Sequence, residues 1–127
     1  MTPVEKTIVK SLVAVAWADG ALTAPEAGMI DSLLWAFGAS DEEESELREF
    51  AKKKRTIKGD IVARALDRDG RELLLAHAAL LTHADGEQTP AEAKLLHSLA
   101  EHLEFSDDET KGIVESARER ARDFKAP

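Results

Sequence analysis

Residues 84–92 read Ala84-Asp85-Gly86-Glu87-Gln88-Thr89-Pro90-Ala91-Glu92, and residues 18–26 read Ala18-Asp19-Gly20-Ala21-Leu22-Thr23-Ala24-Pro25-Glu26. The two segments lie 66 positions apart. Extended without a gap over residues 17–43 and 83–109, the alignment is identical at 11 of 27 positions. Two helical stretches that shared only their composition would not agree this well. The sequence therefore indicates two copies of one helical unit.

Each copy combines the end of one helix with the start of the next. The glycine after Asp19 or Asp85 suits the left-handed residue that ends a helix. The spacing from Thr23 to Glu26 is that of a capping box, in which hydroxyl and carboxylate each accept from the other residue's backbone amide. Boxes of the same kind are predicted at Thr89–Glu92, Ser40–Glu43 and Ser106–Glu109.

Apolar residues at helical spacing occupy the segments between these junctions, and no alternating strand pattern occurs. Helices are predicted over about 4–18, from the first capping box to about 37, over about 41–54, 59–66 and 71–84, from the second capping box to about 103, and from about 107 to 124. The sequence thus predicts an all-α fold, a compact bundle of about seven helices built from two pseudo-twofold-related helical repeats.

The repeat also predicts the domain organisation. Residues 1–127 form a single domain, with repeat one at about 4–54, a linker helix at about 57–67 and repeat two at about 70–124. Helix five, apolar nearly all round, is expected to be the buried central helix. Trp17 and Trp35 are expected to fill volume, with Trp35 partly exposed because it aligns with Glu101. Asp69 is expected to cap helix five.

Composition excludes several classes of function. The chain has no cysteine, so it has no disulfide framework, thiolate zinc site or cysteine nucleophile. Its net charge of −8 disfavours nucleic acid as a partner, because phosphate binding relies on Lys and Arg. No apolar run approaches the length of a membrane span. We therefore expect a soluble, cytoplasmic protein that is not transmembrane.

Charges of opposite sign are segregated along the sequence. Asp41–Glu46 is an acidic run, and Lys52–Arg55 with Lys58 forms a basic patch downstream. This order is typical of a solvated helix with acids in its first turn and bases in its last, as the helix dipole favours. The alternatives are a docking or anionic-lipid patch, and self-association driven by this polarity.

The two Ala-Asp-Gly…Glu segments give the sequence a resemblance to the TerB family, named for bacterial tellurite resistance. It is also similar to the N-terminal domain of a membrane-anchored DnaJ-like co-chaperone. The resemblance implies a compact domain of about seven helices with no established catalytic activity. It also implies a role in stress and metal-ion responses, near the inner membrane or in larger complexes. It also implies divalent metal binding at acidic motif residues, which here are Asp19, Glu26, Asp85 and Glu92.

The residue chemistry leaves two interpretations of these acids open. Carboxylates and the unpaired carbonyls at a helix C-terminus suit Ca²⁺ or Mg²⁺, so Asp19 and Asp85 favour a cation. Glu26 and Glu92 lie at helix N-termini, where the partial positive charge opposes one. Local capping by all four residues explains the same pattern, and each cap is worth roughly 0.5–2 kcal/mol.

The histidines and the motif inventory give little support to catalysis. His97 and Glu101 are one helical turn apart, and this spacing favours an ordinary hydrogen bond between them over a pair of metal ligands. His77 is expected to be partly buried. There is no nucleophile elbow, phosphate-binding glycine loop or zinc-hydrolase motif. We expect a non-enzymatic protein that binds protein partners and a divalent cation. The alternatives are a purely structural interaction or scaffold module, including a homodimer, and a metal-dependent enzyme.

Overall fold

The computed structural model describes residues 1–18, 23–61, 63–82 and 90–125, with side chains up to residue 119. Within these ranges the chain is helical and contains no strand, which confirms the all-α expectation. The pseudo-twofold relation and the division into repeats and linker stay predictions. The elements are α1 (Pro3–Ala18), α2 (Ala24–Ala36), α3 (Asp41–Ala51), α4 (Ile57–Asp60), a 3₁₀ turn (Ala63–Ala65), α5 (Arg68–Thr82), α6 (Pro90–His102) and α7 (Asp107–Lys125).

The core is organised around α1. Every residue from Ile8 to Ala16 except Lys10 is buried, and α1 packs against five other helices, α2 to α6. Such a run would be unfavourable on a solvated helix, because each large apolar side chain taken from water contributes about 1.5–3 kcal/mol. α5 shares the central position, as expected, because it packs on α1, α2, α6 and α7. It is not buried on every side, since Leu73 on its outer face is 40% exposed.

The predicted capping boxes are present wherever the structure describes both residues. At the start of α2, the Thr23 amide donates to Glu26 Oε1 at 3.0 Å, and the Glu26 amide donates to Thr23 Oγ1 at 3.3 Å. The boxes that begin α3 and α7 have the same two bonds. The box predicted at Thr89–Glu92 includes Thr89, which lies outside the described residues.

The segment between the two halves differs from its predicted form. α3 ends at Ala51, three residues earlier than predicted. The backbone amide of Lys52 donates to the Glu49 carbonyl, three residues before it, and so does not continue the α-helical pattern. The single helix expected over 59–66 is instead α4 followed by the 3₁₀ turn. The prediction that Asp69 caps α5 was wrong. The helix begins earlier, and Asp67 Oδ1 accepts from the Gly70 amide at 2.8 Å.

The two tryptophans have different environments. Trp17 is partly buried, and its Nε1–H donates to the Ala51 carbonyl at 2.9 Å, which joins the end of α1 to the end of α3. Trp35 is 87% exposed, so it does not fill volume as expected. Because α2 buries Ile30 and Leu34, a side chain at position 35 projects away from the core.

The turns after α2 and α6 share one backbone geometry, 66 positions apart. Gly38 has φ of 69° and Glu104 has φ of 65°. In both turns the left-handed residue bonds the carbonyl three residues before it, and the next residue bonds the carbonyl five before it (Gly38 to Trp35 and Ala39 to Leu34; Glu104 to Glu101 and Phe105 to Ala100). Glycine adopts this conformation without strain, whereas glutamate does not.

Candidate metal and partner sites

Glu26 is a carboxylate held in the interior. It is the third residue of α2 and is 2% exposed, and its Oε1 accepts from both the amide and the hydroxyl of Thr23, at 3.0 and 2.9 Å. Glutamate is almost never fully buried unless it is paired. The helix cap that the sequence predicts for Glu26 is therefore present, and the residue is also removed from bulk water.

Glu92 occupies the corresponding position in α6, where it is the third helical residue and is 5% exposed. The other two predicted ligands, Asp19 and Asp85, lie outside the described residues. Asp19 directly follows the last residue of α1, and Asp85 belongs to the segment between α5 and α6. α1 and α5 pack on each other, and each of them contacts both α2 and α6. The helices that carry the two motifs are therefore neighbours.

The described part of the chain does not by itself form a metal centre. Within it, no three His, Asp or Glu side chains come close enough together to hold a metal ion. A hard divalent cation prefers six or more oxygen ligands. Glu26 or Glu92 could supply one carboxylate each, and the remainder would come from Asp19, Asp85, backbone carbonyls of residues 19–22 and 83–89, or water.

Several side chains of the acidic run at the start of α3 form ion pairs with other residues of the domain. Glu43 contacts the amino group of Met1 at 3.2 Å and Lys6 Nζ at 3.4 Å. The Ser40 amide, the amino terminus and Lys6 together lower the pKa of Glu43 from 4.5 to about 2. Glu44 binds Arg48, which also contacts Asp31 at 3.2 Å. This run therefore ties α3 to its neighbours.

Some side chains of the basic patch form contacts within the domain, and the others are exposed to solvent. Arg55 packs over the Phe50 ring at 3.7 Å, donates to the Phe50 carbonyl, and contacts Asp60 at 3.6 Å. Lys52 pairs with Glu49 and lowers the pKa of that carboxyl by hydrogen bonding to it. Lys53, Lys54 and Lys58 are exposed. These three lysines are what the described structure leaves for a docking or lipid interaction.

Two of the open grooves between the described helices have partly apolar linings. One, of about 330 Å³, separates α2 from α3 and has Val13 of α1 among its lining residues. The other, of about 530 Å³, lies between α5 and α7 and is bordered by Leu73, Leu80 and Ile113, with four acidic residues also lining it (Asp69, Glu72, Asp108 and Glu109). Both are candidate partner surfaces.

Sequence reasoning missed two side chains that connect distant segments. Arg71 shares its Nε–H between the carbonyls of Ala63 and Leu66, both at 3.2 Å, and its Nη1 donates to the Leu103 carbonyl at 3.1 Å. His102 Nε2 lies 2.6 Å from the Ile61 carbonyl. The contacts to Ala63, Leu66 and Ile61 join the segment that follows α4 to α5 and α6, and the contact to Leu103 joins α5 to the end of α6. The interpretation of His97 as an ordinary hydrogen-bonding residue is consistent with its exposed contact to Glu101 at 3.0 Å.

None of the helices in the described ranges combines the length and apolar character needed to cross a membrane. Searches of the curated proteins and of the solved structures gave no significant match. The sequence model described as "Tellurite resistance protein TerB" matches residues 5–115, which is most of the chain. This match agrees with the helical fold and with the duplicated Ala-Asp-Gly…Glu segments, and the chain therefore belongs to the TerB family of tellurite resistance proteins.

Proposed function

We propose that this protein is a non-enzymatic, tellurite-resistance-like stress-response domain that binds a partner protein and a divalent cation. The cation, Ca²⁺ or Mg²⁺, is held at Asp19, Glu26, Asp85 and Glu92. The domain acts in the cytoplasm, as a peripheral part of a complex at the inner membrane. Family membership supports the general role, and the acidic motifs support the cation.

One observation carries the cation proposal. Glu26 and Glu92 are both buried, at the same position of two helices that follow the same Ala-Asp-Gly motif. The capping boxes at Ser40 and Ser106 provide an internal comparison, because their glutamates follow no such motif. Glu43 and Glu109 remain partly exposed. Capping alone therefore does not require burial of the carboxylate, and the burial shared by the two motif glutamates supports a common role for them.

Calorimetric titration with Ca²⁺, Mg²⁺, Mn²⁺ and Zn²⁺ tests the proposal. The variants are Glu26→Gln and Glu92→Gln, which keep an oxygen able to accept the capping bonds but remove the charge. Glu109→Gln is the matched control, since it makes the same change in a box outside the motifs. Wild type and control should bind a cation with equal affinity, and the two motif variants should bind more weakly. Absence of uptake by the wild-type protein would end the cation proposal.

The second candidate is a purely structural role for the motif acids within an interaction or scaffold module. Both hydrogen bonds of the Thr23–Glu26 capping box are present, so Glu26 has a structural role at the start of α2. Under this alternative the wild type takes up no metal, and Glu26→Ala lowers the free energy of unfolding by roughly 0.5–2 kcal/mol through loss of the cap. Urea denaturation of Glu26→Ala, run beside the metal titration, separates the two candidates.

Absence of catalysis is part of the proposal. The sequence lacks a nucleophile elbow, a phosphate-binding loop and a zinc-hydrolase motif. For the cellular location, we expect a tagged protein to enter the membrane fraction of gently lysed cells and to leave it at high salt. Retention in the soluble fraction under both conditions would remove the membrane-associated complex from the proposal.

A further inference from the structure

The helix pairs α1–α3 and α5–α7 correspond to each other at the offset of 66 positions. α3 begins at position 41 and α7 at position 107, and α1 packs on α3 as α5 packs on α7. Burial follows the same register, since Ile8 and Leu12 of α1 and their counterparts Leu74 and Ala78 of α5 are all buried. The surfaces of the two pairs can therefore be compared residue by residue.

The first pair carries its own cations and an aromatic ring on the surface between the helices. Lys10 Nζ lies 5.4 Å from the centre of the Phe50 ring and 3.6 Å from Glu46 Oε1. One turn earlier on α1, Lys6 Nζ lies 3.4 Å from Glu43 Oε2. The lysines of α1 thus pair with acids of α3, and one of them also packs against an aromatic side chain.

The second pair lacks these groups. Ala76 stands at the position of Lys10, and Ser116 stands at that of Phe50. The lysine one turn earlier is replaced by Glu72. All three residues of the second pair line the open groove of about 530 Å³ between α5 and α7. The groove therefore lies where the first half has a lysine and an aromatic ring.

Apolar side chains in this groove are accessible to a partner. Leu73 is 40% exposed, and Leu80 and Ile113 are half-buried. The equivalent of Leu73 in α1 is Thr7. The second pair thus presents a larger apolar side chain to solvent at this position, and the fold does not require it because the first pair has a polar residue there.

Carboxylates outnumber cations around the same groove. Four carboxylates and one guanidinium line it and leave a net charge of −3 (Asp69, Glu72, Asp108, Glu109 and Arg68). Arg68 is already shared between Glu72 and Glu109, and neither Asp69 nor Asp108 forms a salt bridge within the described part of the chain. Helix dipoles favour acids in a first turn, which accounts for the two aspartates but not for the change from lysine to Glu72. The groove is therefore complementary to a cation.

We propose that the α5–α7 groove binds a basic, amphipathic segment of a partner protein, which supplies from outside the groups that the first half supplies from within. An aromatic side chain of the partner covers Ala76 and Ser116, and a lysine or arginine lies beside Glu72 and Asp108. An amphipathic helix in an apolar groove is a common mode of peptide recognition, and charges at its rim guide the encounter. The inference rests on the proposed role in binding a partner protein and gives that partner its chemistry.

Fluorescence anisotropy of a labelled synthetic peptide, titrated with the full chain, tests the proposal. The probe is an amphipathic helical peptide with lysines on one face and leucines around a central phenylalanine on the other. One control peptide has glutamate in place of each lysine, and a second has serine in place of the phenylalanine. The probe should bind and should bind more weakly as salt is raised. Both control peptides should bind roughly tenfold more weakly or less.

The key variant fills the groove with the residues of the first half, Ala76→Lys combined with Ser116→Phe. It should fold, because the equivalent surface of α1 and α3 accommodates the same side chains, and it should lower the affinity for the probe by roughly 30-fold or more. Asp108→Asn removes one rim charge without touching the apolar lining and should weaken binding by roughly two- to fivefold. Ser32→Lys is the matched control, since it adds a positive charge on an exposed position of α2, outside the groove. It should bind the probe as wild type does.

Circular dichroism melts establish that each variant is folded. The proposal is overturned if wild type does not bind the probe, if the filled variant binds it as wild type does, or if Ser32→Lys weakens binding as much as the filled variant. The last result would assign the attraction to net charge. The proposed function fails separately, because metal titration and recovery of the tagged protein with membranes do not use the peptide. A wild type that enters the membrane fraction but does not bind the probe retains the proposed function and loses the groove.

Discussion

Replacing Arg71 by methionine should destabilise the protein far more than its position on a partly exposed helix face suggests. The guanidinium side chain is 20% exposed and reaches three backbone carbonyls in two separate segments. Two N–H groups make these bonds, since Nε–H is shared between Ala63 and Leu66. Hydrogen bonds to a charged group contribute about 1.5–3 kcal/mol each. Taking the lower value, because water can reach part of the site, gives about 3 kcal/mol for Arg71→Met.

Urea denaturation followed by circular dichroism measures this loss, and Arg68→Met is the control. Arg68 is one turn earlier on α5 and is 60% exposed, and its contacts to Glu72 and Glu109 are surface ion pairs. Such pairs are worth about 1 kcal/mol or less, so the control should lose no more than that. Arg71→Lys keeps the charge but not the forked geometry, and should recover less than half of the loss. Equal losses in Arg71→Met and Arg68→Met would refute the reasoning.

Three more predictions concern single turns and one carboxylate. Asp67→Ala should cost roughly 0.5–2 kcal/mol through loss of the α5 cap, whereas Asp69→Ala should be nearly neutral in the same urea assay. Glu104→Gly should raise the free energy of unfolding by about 1 kcal/mol by relieving the left-handed strain, and Gly38→Ala should lower it by a similar amount. The pKa of Glu43 is lowered on folding from 4.5 to about 2, so its stabilising effect is complete above pH 4.5 and is lost as the pH falls to about 2. The difference in unfolding free energy between wild type and Glu43→Gln should therefore shrink over that interval, and a constant difference would contradict the assignment.

The helices were predictable because their signals are local. A hydroxyl three residues before a glutamate marks the starts of α2, α3 and α7, and the structure forms each of these boxes. The start of α5 was harder, since Asp67-Arg68-Asp69-Gly70 offers two aspartates that can each cap a helix. The choice between them depends on where the 3₁₀ turn ends, which tertiary packing sets and local spacing does not.

The contacts that were missed are those between residues far apart in sequence. The contact of Arg71 with Leu103 spans 32 positions, and that of His102 with Ile61 spans 41. No periodic pattern in the sequence predicts either contact. At the candidate cation site, the motif located Glu26 and Glu92, but their burial became visible only in three dimensions. The exposure of Trp35 was only partly anticipated, because an apolar residue on a helix is by default assigned to the core.

The turn at Glu104 has a consequence for how the two halves of the chain can vary. Arg71 binds both the Leu103 carbonyl and the Glu104 carboxylate, so a side chain of α5 holds in place a backbone conformation that the first half assigns to glycine. Substitutions at 71 and 104 should then be epistatic. Glycine at 104 should stabilise the protein by more when the arginine is absent than when it is present, because the contact of Arg71 with the Glu104 carboxylate offsets part of the strain, and this contact lets the second copy carry a residue other than the glycine of the first.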